Sequence, residues 1–135
     1  MTARSVIIGG GQAGGWAAKT LRDEGFDGEI CVVAEEEWDF YERPPLSKAS
    51  LLEPDAALPR LFSDEVQQAL NLAWYRPLRA ESVDRDEKKV VLSNGEHLSY
   101  NILLIATGGR ARLPSQAWPA IRRSIPCATG RTRSA

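Results

Sequence analysis

A glycine-rich turn between an apolar run and a helix-forming stretch constrains this chain more than any other feature. Five of the seven residues in Gly9–Gly15 are glycine, and the turn follows the β-branched run Ser5–Ile8, which is typical of a buried parallel strand. Good helix formers occupy Trp16–Glu24, and Gly25 is a fitting C-terminal stop. The apolar run Ile30–Ala34 predicts a second buried strand. The amino-terminal part therefore predicts a βαβ unit with a right-handed crossover.

The turn satisfies the spacing G-x-G-x-x-G with Gly9, Gly11 and Gly14. The first glycine permits the tight turn out of the strand, the second lets the backbone approach a pyrophosphate, and the third lets the helix pack closely on the strand. Glu35 follows about 20 residues later, where a carboxylate accepts both ribose hydroxyls of an adenosine and disfavours a 2′-phosphate. The alternative is a glycine-rich surface turn beside an exposed glutamate. The motif nevertheless follows a strand and opens a helix, which favours a dinucleotide site with FAD or NAD over NADP.

The remaining pattern predicts a mixed α/β fold. Glu36–Leu58 is irregular, Ser63–Leu70 is typical of a short helix, and Leu72–Tyr75 of a strand. Short strands and an Asn-Gly turn in Leu78–Leu98 predict a small antiparallel β-meander, and the apolar run Ile102–Ala106 predicts a last parallel strand. Together these elements predict a Rossmann-like domain with a parallel sheet, helices and the meander.

Composition excludes several classes of function. The chain has 135 residues, a net charge of −1 and an estimated pI of 5.9, so it lacks the excess of basic residues that is typical of nucleic-acid-binding proteins. No run approaches the length of a membrane span and no signal peptide is visible, so we expect a cytoplasmic protein. Cys31 and Cys127 form no CxxC pair, so no zinc site or redox dithiol is predicted, and Cys31 is read as a small buried hydrophobe. His97, the only histidine, is read as an exposed strand residue.

Two further segments carry a family resemblance. The sequences Tyr41-Glu42-Arg43-Pro44-Pro45-Leu46-Ser47-Lys48 and Ile105-Ala106-Thr107-Gly108-Gly109 resemble the flavin-dependent ferredoxin reductases of bacterial aromatic-ring dioxygenase systems. These are similar to putidaredoxin and rubredoxin reductases, within the pyridine nucleotide–disulfide oxidoreductase superfamily. The similarity runs from about Arg4 to Arg112. It implies FAD as the cofactor, NAD(P)H as the hydride donor and a [2Fe–2S] ferredoxin as the electron acceptor, with NADH and NADPH both open.

The resemblance also implies which residues bind FAD, with no catalytic side chain and no metal ligand among them. The pyrophosphate would meet the glycine turn, the adenosine ribose would meet Glu35, and a backbone position in the meander would meet the adenine. Two cations would lie along the pyrophosphate, ribityl chain and flavin, and the end of the last strand would close the site. The full set is Gly9, Gly11, Ala13, Gly14, Glu35, Arg43, Lys48, Ala80, Thr107 and Gly108.

The physical interpretation of the two cations depends on Pro44-Pro45. This pair predicts an extended backbone that places Arg43 and Lys48 with little entropy left to lose, and a guanidinium suits two phosphate oxygens. The alternative is two solvated cations beside a surface turn.

The sequence is shorter than the family pattern, in which a second βαβ domain binds NAD(P)H. We therefore expect residues 1–112 to be the N-terminal part of an incomplete FAD/NAD(P)-binding domain and 113–135 an irregular tail, with little activity from the chain alone. The tail has no helical or strand period, and a shifted reading frame over Pro114–Ala135 resembles the family's link into its second domain, which predicts a frameshift. A stand-alone FAD or NAD module and an inert product of a truncated gene remain the alternatives.

Overall fold

The computed structural model describes residues 2–53 and 57–109, which divide into two compact units. The first unit contains the described residues of 1–41 and 60–108, and the second contains those of 42–59 together with residue 109. The strands are β1 (Arg4–Ile8), β2 (Glu29–Val33), β3 (Leu72–Tyr75), β4 (Ala80–Asp84), β5 (Lys89–Leu92), β6 (His97–Ser99) and β7 (Ile102–Ile105). The helices are α1 (Gln12–Asp23), α2 (Ala49–Leu52) and α3 (Asp64–Leu70), with a 3₁₀ turn at Pro44–Ser47.

A four-stranded parallel sheet forms the centre of the first unit. Its order is β3-β2-β1-β7, so β1 lies between β2 and β7. In this register Ile8 lies beside Val33 on one side and Ile105 on the other, which brings the carboxyl ends of three strands to one edge. Ligands of open α/β sheets bind outside that edge.

Both faces of the parallel sheet are covered, which explains the uninterrupted apolar runs in the sequence. Alternate residues of the two inner strands enter different cores. Val6 and Cys31 pack with Val90 of the meander, whereas Ile7 and Val32 pack on the face that carries α1 and α3.

The predicted β-meander is confirmed as a three-stranded antiparallel sheet of order β4-β5-β6. Asp84 closes the first hairpin by accepting hydrogen bonds from the backbone N–H groups of Asp86 and Glu87, at 3.0 and 2.9 Å. Gly95 closes the second with a φ of +87°, and its N–H donates to the Leu92 carbonyl at 2.9 Å. The α/β fold class predicted from the sequence is therefore confirmed.

Element boundaries differ from the prediction at the glycine turn. Helix α1 begins at Gln12, not Trp16, so Ala13 and Gly14 lie in its first turn. Strand β2 ends at Val33, and Glu35 lies two residues beyond it. Helix α3 follows the prediction, since the Ser63 hydroxyl caps it by accepting from the Val66 N–H at 3.4 Å.

The extended backbone predicted at Pro44-Pro45 is wrong. Arg43 has φ −81° and ψ −35°, which is helical, and the chain continues into the 3₁₀ turn with proline at its first positions. Proline is tolerated there because its ring matches helical φ and its missing N–H would have had no partner. Two short bonds, from Leu46 N–H to the Arg43 carbonyl and from Lys48 N–H to the Pro45 carbonyl, hold this turn at 2.9 and 3.0 Å.

Other expectations concern single residues and absences. Cys31 is fully buried, and burial raises the pKa of its thiol to about 11, which keeps it protonated and inert at neutral pH. His97 is exposed on β6, as predicted. Within residues 2–53 and 57–109, no helix has the length and apolarity to cross a membrane, and no cluster of acidic, cysteine or histidine residues could hold a metal ion. The predicted domain boundary near residue 112 and the predicted frameshifted tail lie outside the described residues.

Candidate functional site

The glycine turn connects β1 to α1 at the carboxyl edge of the parallel sheet. Gly9 has a φ of +124°, and its N–H donates to the Val33 carbonyl at 2.8 Å. A Cβ at this position would collide with the carbonyl group of Ala106, just beyond β7. Gly9 is therefore required both by its backbone conformation and by the neighbouring strand.

Gly14 allows α1 to lie close to the strand that precedes it. A Cβ at Gly14 would press against the Gly9 carbonyl oxygen and lie 3.3 Å from Cγ2 of Ile7. The helix is therefore held with its first turn directly behind the turn of the motif. This is the close helix–strand packing that the third glycine of the motif was predicted to provide.

The first turn of α1 presents backbone donors. Gly11 is the N-cap and offers no side-chain cap, and no acidic residue lies in the first turn. Ala13 is exposed in that turn. The leading N–H groups of a helix have no partner within the helix, and the helix dipole adds partial positive charge there. These two features make the turn suitable for an anion such as a pyrophosphate.

Glu35 lies beside the meander because the chain on both sides of Ala34 is hydrogen bonded. The Ala34 N–H donates to the Tyr75 carbonyl at 3.1 Å, and the Ala34 carbonyl accepts from the Leu78 N–H at 2.8 Å. The residues that follow these two anchors, Glu35 and Arg79, form an ion pair with Arg79 Nε 3.3 Å from Glu35 Oε1. The Glu35 carboxylate, which is predicted to bind the ribose, thus lies beside the residue that precedes β4.

Ala80 presents its main chain outward at the start of β4. It lies opposite Leu92, yet the Leu92 N–H donates to the Glu96 carbonyl and the Ser93 N–H donates to the Arg79 carbonyl, both at 2.9 Å. This pattern defines a non-hydrogen-bonded pair, in which the N–H and C=O of the residue are directed away from the partner strand. An adenine ring can be recognised by such a backbone amide and carbonyl.

Thr107 and Gly108 follow β7 beside the glycine turn. The Ala106 N–H donates to the Ile8 carbonyl at 2.8 Å, which continues the β1–β7 pairing up to the turn. A Cβ at Gly9 would lie 3.2 Å from the Thr107 nitrogen. Gly108 then has a φ of +65°, in the left-handed region that favours glycine. The structure therefore brings together eight of the ten predicted residues, which are all in the first unit.

Arg43 and Lys48 belong to the second unit. Their backbones flank the 3₁₀ turn, with Arg43 before it and Lys48 after it. Lys48 is exposed and Arg43 is half-buried. Their predicted contacts with a cofactor stay a prediction.

Comparison with known proteins decides the family. Residues 3–125 match the sequence model of the family described as pyridine nucleotide-disulphide oxidoreductase. The chain belongs to this family. Ferredoxin reductases of the family bind FAD.

Two curated relatives and one solved structure illustrate the similarity. The ferredoxin–NAD(+) reductase component of the 3-phenylpropionate/cinnamic acid dioxygenase of Photorhabdus laumondii is 39% identical over 107 residues, and the match covers 79% of this chain and 27% of that protein. The peroxisomal monodehydroascorbate reductase 4 of Arabidopsis thaliana is 42% identical over 118 residues, covering 78% and 24%. The covalent putidaredoxin reductase–putidaredoxin complex is 35% identical with a TM-score of 0.77, covering 84% and 27%. The chain thus spans about a quarter of the length of the relatives it matches.

The residues of this chain fit the ADP half of FAD. The turn excludes every side chain at Gly9 and Gly14, since a Cβ would collide with backbone at both positions. The helix start offers N–H groups, and its first turn contains no acidic residue that would oppose a phosphate. The charge and the shape of the turn therefore both suit a pyrophosphate.

Sequence reasoning missed two glycines beside the motif. A Cβ at Gly10 would lie 2.9 Å from the Ala34 Cβ, and a Cβ at Gly15 would lie 2.8 and 2.9 Å from side-chain carbons of Leu61 and Phe40. The signal was present, because glycine also fills position 10 inside the spacing rule and position 15 just after its last glycine. At Gly10 the cause is the contact with Ala34, and at Gly15 it is the packing of α1 on Leu61 and Phe40; a spacing rule contains neither contact.

Trp16 also has an explanation that the sequence lacked. Its ring lies edge to face with Phe62, with centroids 5.3 Å apart, while half of its side chain stays exposed. The indole therefore packs against Phe62 at the edge of the core beside α1.

Proposed function

We propose that this chain binds FAD through the adenosine diphosphate half of the cofactor, as part of an NAD(P)H:ferredoxin reductase. In that reaction electrons pass from NAD(P)H through the flavin to a [2Fe–2S] ferredoxin. The observation that carries the proposal is the glycine turn, in which Gly9 and Gly14 leave no space for a side chain at the start of an uncapped helix. FAD, when bound, supplies the transfer between a hydride donor and a one-electron acceptor, and the protein supplies position and electrostatics.

The pyrophosphate is the part of FAD that the turn suits best. Gly11, Ala13 and Gly14 contribute backbone N–H groups at the positive end of the α1 dipole. Gly9 sets the direction in which the chain leaves β1. These residues contact the two phosphates through backbone groups alone.

The adenosine is bound on the side of the turn where β2 and the meander meet. Glu35 accepts hydrogen bonds from the ribose hydroxyls, because its exposed carboxylate is held there by the chain around Ala34. Ala80 offers an outward N–H and C=O to the adenine edge. The arrangement favours an unphosphorylated ribose, since a carboxylate repels a 2′-phosphate.

The remaining predicted residues serve the other half of the cofactor. Thr107 and Gly108, beside the glycine turn, close the site at the end of β7. Arg43 and Lys48 supply positive charge along the pyrophosphate and ribityl chain, with the guanidinium suited to two phosphate oxygens at once.

The electron acceptor is inferred from the relatives and from the Arg43–Lys48 segment. One relative is a dioxygenase component that acts between a ferredoxin and NAD(+), and one solved structure holds a putidaredoxin reductase with putidaredoxin. Another relative of similar identity is a monodehydroascorbate reductase. The segment Arg43-Pro44-Pro45-Leu46-Ser47-Lys48 favours the ferredoxin branch, so we assign a ferredoxin as the acceptor.

A substitution at Gly11 tests the phosphate site without requiring a change of backbone conformation. Gly11 has φ −88° and ψ −169°, an extended conformation that any residue adopts. Gly11→Leu is therefore expected to keep the circular dichroism spectrum and to abolish FAD binding, because the side chain occupies the space of the phosphates. Calorimetric titration of FAD and of ADP measures this loss. Thr20→Leu, an added leucine at an exposed position farther along the same helix, is the matched control and should bind normally.

Glu35→Ala tests the ribose contact. We expect it to weaken FAD and ADP binding by about 1–3 kcal/mol, the cost of losing charge-assisted hydrogen bonds. Equal affinities for the unchanged chain, Gly11→Leu and Glu35→Ala would show that the site is assigned wrongly. Binding of NAD that is tighter than binding of FAD would contradict the flavin assignment and favour a nucleotide-binding module without catalysis.

A further inference from the structure

Arg79 stands next to the two groups assigned to adenosine. Its Nε lies 3.3 Å from Glu35 Oε1, and the next residue along the chain is Ala80. Within the described part of the chain, its two Nη groups make no hydrogen bond or ion pair, and 66% of the side chain is exposed. Four N–H donors of the guanidinium are therefore available to a ligand beside the Glu35 carboxylate.

The backbone of Arg79 is fixed on both sides. Its N–H donates to the Ser93 hydroxyl at 3.0 Å, and its carbonyl accepts from the Ser93 N–H at 2.9 Å. The preceding residue, Leu78, donates to the Ala34 carbonyl. Two bonds to Ser93, just after β5, and one to Ala34, just after β2, thus set the distance between the Arg79 and Glu35 main chains.

The Glu35–Arg79 ion pair contributes little to the stability of the fold. Half of the Glu35 side chain and two thirds of the Arg79 side chain are exposed. Exposed pairs contribute little to folding because water and salt screen them and two long side chains must be ordered. The backbone contacts of Arg79 would persist if its side chain were changed.

We propose that Arg79 is a positioning and specificity-determining residue for the adenosine ribose. It fixes the orientation of the Glu35 carboxylate, which accepts hydrogen bonds from the ribose hydroxyls. Its Nη groups donate hydrogen bonds to the oxygens of the same hydroxyls. A hydroxyl both donates and accepts, so a carboxylate and a guanidinium together satisfy it. This proposal rests on the proposed function, since it concerns the same nucleotide site.

The pair also explains how this site would discriminate against a 2′-phosphate. Glu35 repels the phosphate while Arg79 attracts it, and the ion pair neutralises Arg79 as long as Glu35 is present. Removal of the carboxylate charge by Glu35→Gln would release the guanidinium. The site would then accept a 2′-phosphorylated nucleotide that the unchanged chain rejects.

The test is a double-mutant cycle with two probes, ADP and adenosine 2′-phosphate 5′-diphosphate. The variants are Arg79→Gln, Arg79→Lys, Glu35→Gln and the double variant Arg79→Gln/Glu35→Gln, each titrated by calorimetry as the full chain. Arg85→Gln, an equal change of charge at an exposed position in the β4–β5 turn, is the matched control. Circular dichroism and a melting curve of each variant report on folding.

We expect Arg79→Gln to weaken ADP binding about tenfold, and Arg79→Lys to recover part of the loss because it keeps the charge without the planar fork. The double variant should lose less ADP affinity than the two single variants combined, because Arg79 acts in part through Glu35. Glu35→Gln should raise the affinity for the 2′-phosphorylated probe relative to ADP by about tenfold, and the double variant should lose that gain. A melting temperature that does not change would separate these effects from folding.

Three results would overturn the proposal. The role of Arg79 in the site would be wrong if Arg79→Gln bound ADP within about twofold of the normal affinity. It would also be wrong if the losses of the two single variants simply added in the double variant. A Glu35→Gln variant that gains no preference for the 2′-phosphate would remove its role in specificity. Failure of the unchanged chain to bind ADP would overturn the proposed function as well, whereas binding that Gly11→Leu abolishes and Arg79→Gln leaves intact would overturn the Arg79 proposal alone.

Discussion

The two ends of helix α1 use glycine for different physical reasons. At the amino end, an added Cβ at Gly9 or Gly14 would meet backbone, and one at Gly15 would meet the side chains of Leu61 and Phe40. At the carboxyl end, Gly25 has a φ of +87° and no atom within 4 Å of the position of a Cβ. Glycine is thus required by lack of space at the amino end, with backbone conformation as a second cause at Gly9, and by backbone conformation alone at the carboxyl end.

The carboxyl end is closed by the helix itself. The Gly25 N–H donates to the Arg22 carbonyl and the Phe26 N–H donates to the Leu21 carbonyl, at 3.0 and 2.9 Å. These two bonds form a Schellman motif, and both Leu21 and Phe26 pack on the same core. The amino end instead leaves its N–H groups without a side-chain cap, although caps of this kind stabilise helices. The end that lacks its own cap is the end to which the anion is assigned.

The largest effect is expected at Gly9, where both causes act together. Gly9→Ala places a methyl group against the Ala106 carbonyl and forces a side chain into a φ of +124°. We expect a loss of more than about 3 kcal/mol in the free energy of unfolding, since a collision with backbone adds to the conformational strain. Urea unfolding followed by circular dichroism measures this loss. An unchanged midpoint would mean that the turn can move away from β7, and the contrast between the two ends would not hold.

A smaller effect is expected at Gly15, where only space is limiting. The methyl group of Gly15→Ala would press on the Leu61 and Phe40 side chains, which have some freedom to move. Overpacking of this kind typically costs about 1–3 kcal/mol, offset in part because alanine favours a helix. A companion variant, Gly15→Ala with Leu61→Val, should recover part of the loss by making room. No recovery would place the strain at Phe40 instead.

The comparison also shows what a sequence motif can predict. The spacing rule identified Gly9, Gly11 and Gly14, because its three positions correspond to a turn, a close ligand approach and a helix–strand contact. The strand that precedes it and the helix that follows were evident from apolar runs and helix formers, and the α/β fold followed from their order. The rule did not indicate Gly15, because that glycine accommodates residues far along the chain.

The limits of the sequence were set by long-range contacts. Nothing near Arg79 in the sequence indicates Glu35, and their pairing depends on the Leu78–Ala34 hydrogen bond. The extended interpretation of Pro44-Pro45 failed for a local reason, because proline also suits the first positions of a 3₁₀ turn. The backbone geometry of the glycine turn was therefore predictable from the local sequence, whereas contacts for which two distant segments must first meet were not.

The smallest effect is expected at Gly25, and it provides the sharpest test of the contrast. Gly25→Ala meets no atom, so the whole cost comes from holding alanine at a φ of +87°. That cost is about 1–2 kcal/mol for an ordinary residue and less for asparagine, which enters the left-handed region more readily. Gly25→Asn should therefore lose less stability than Gly25→Ala, although its side chain is larger, and ADP binding should stay unchanged in both. If stability instead fell with the size of the side chain, the carboxyl end of α1 would be limited by space as well, and the two ends would need glycine for the same reason.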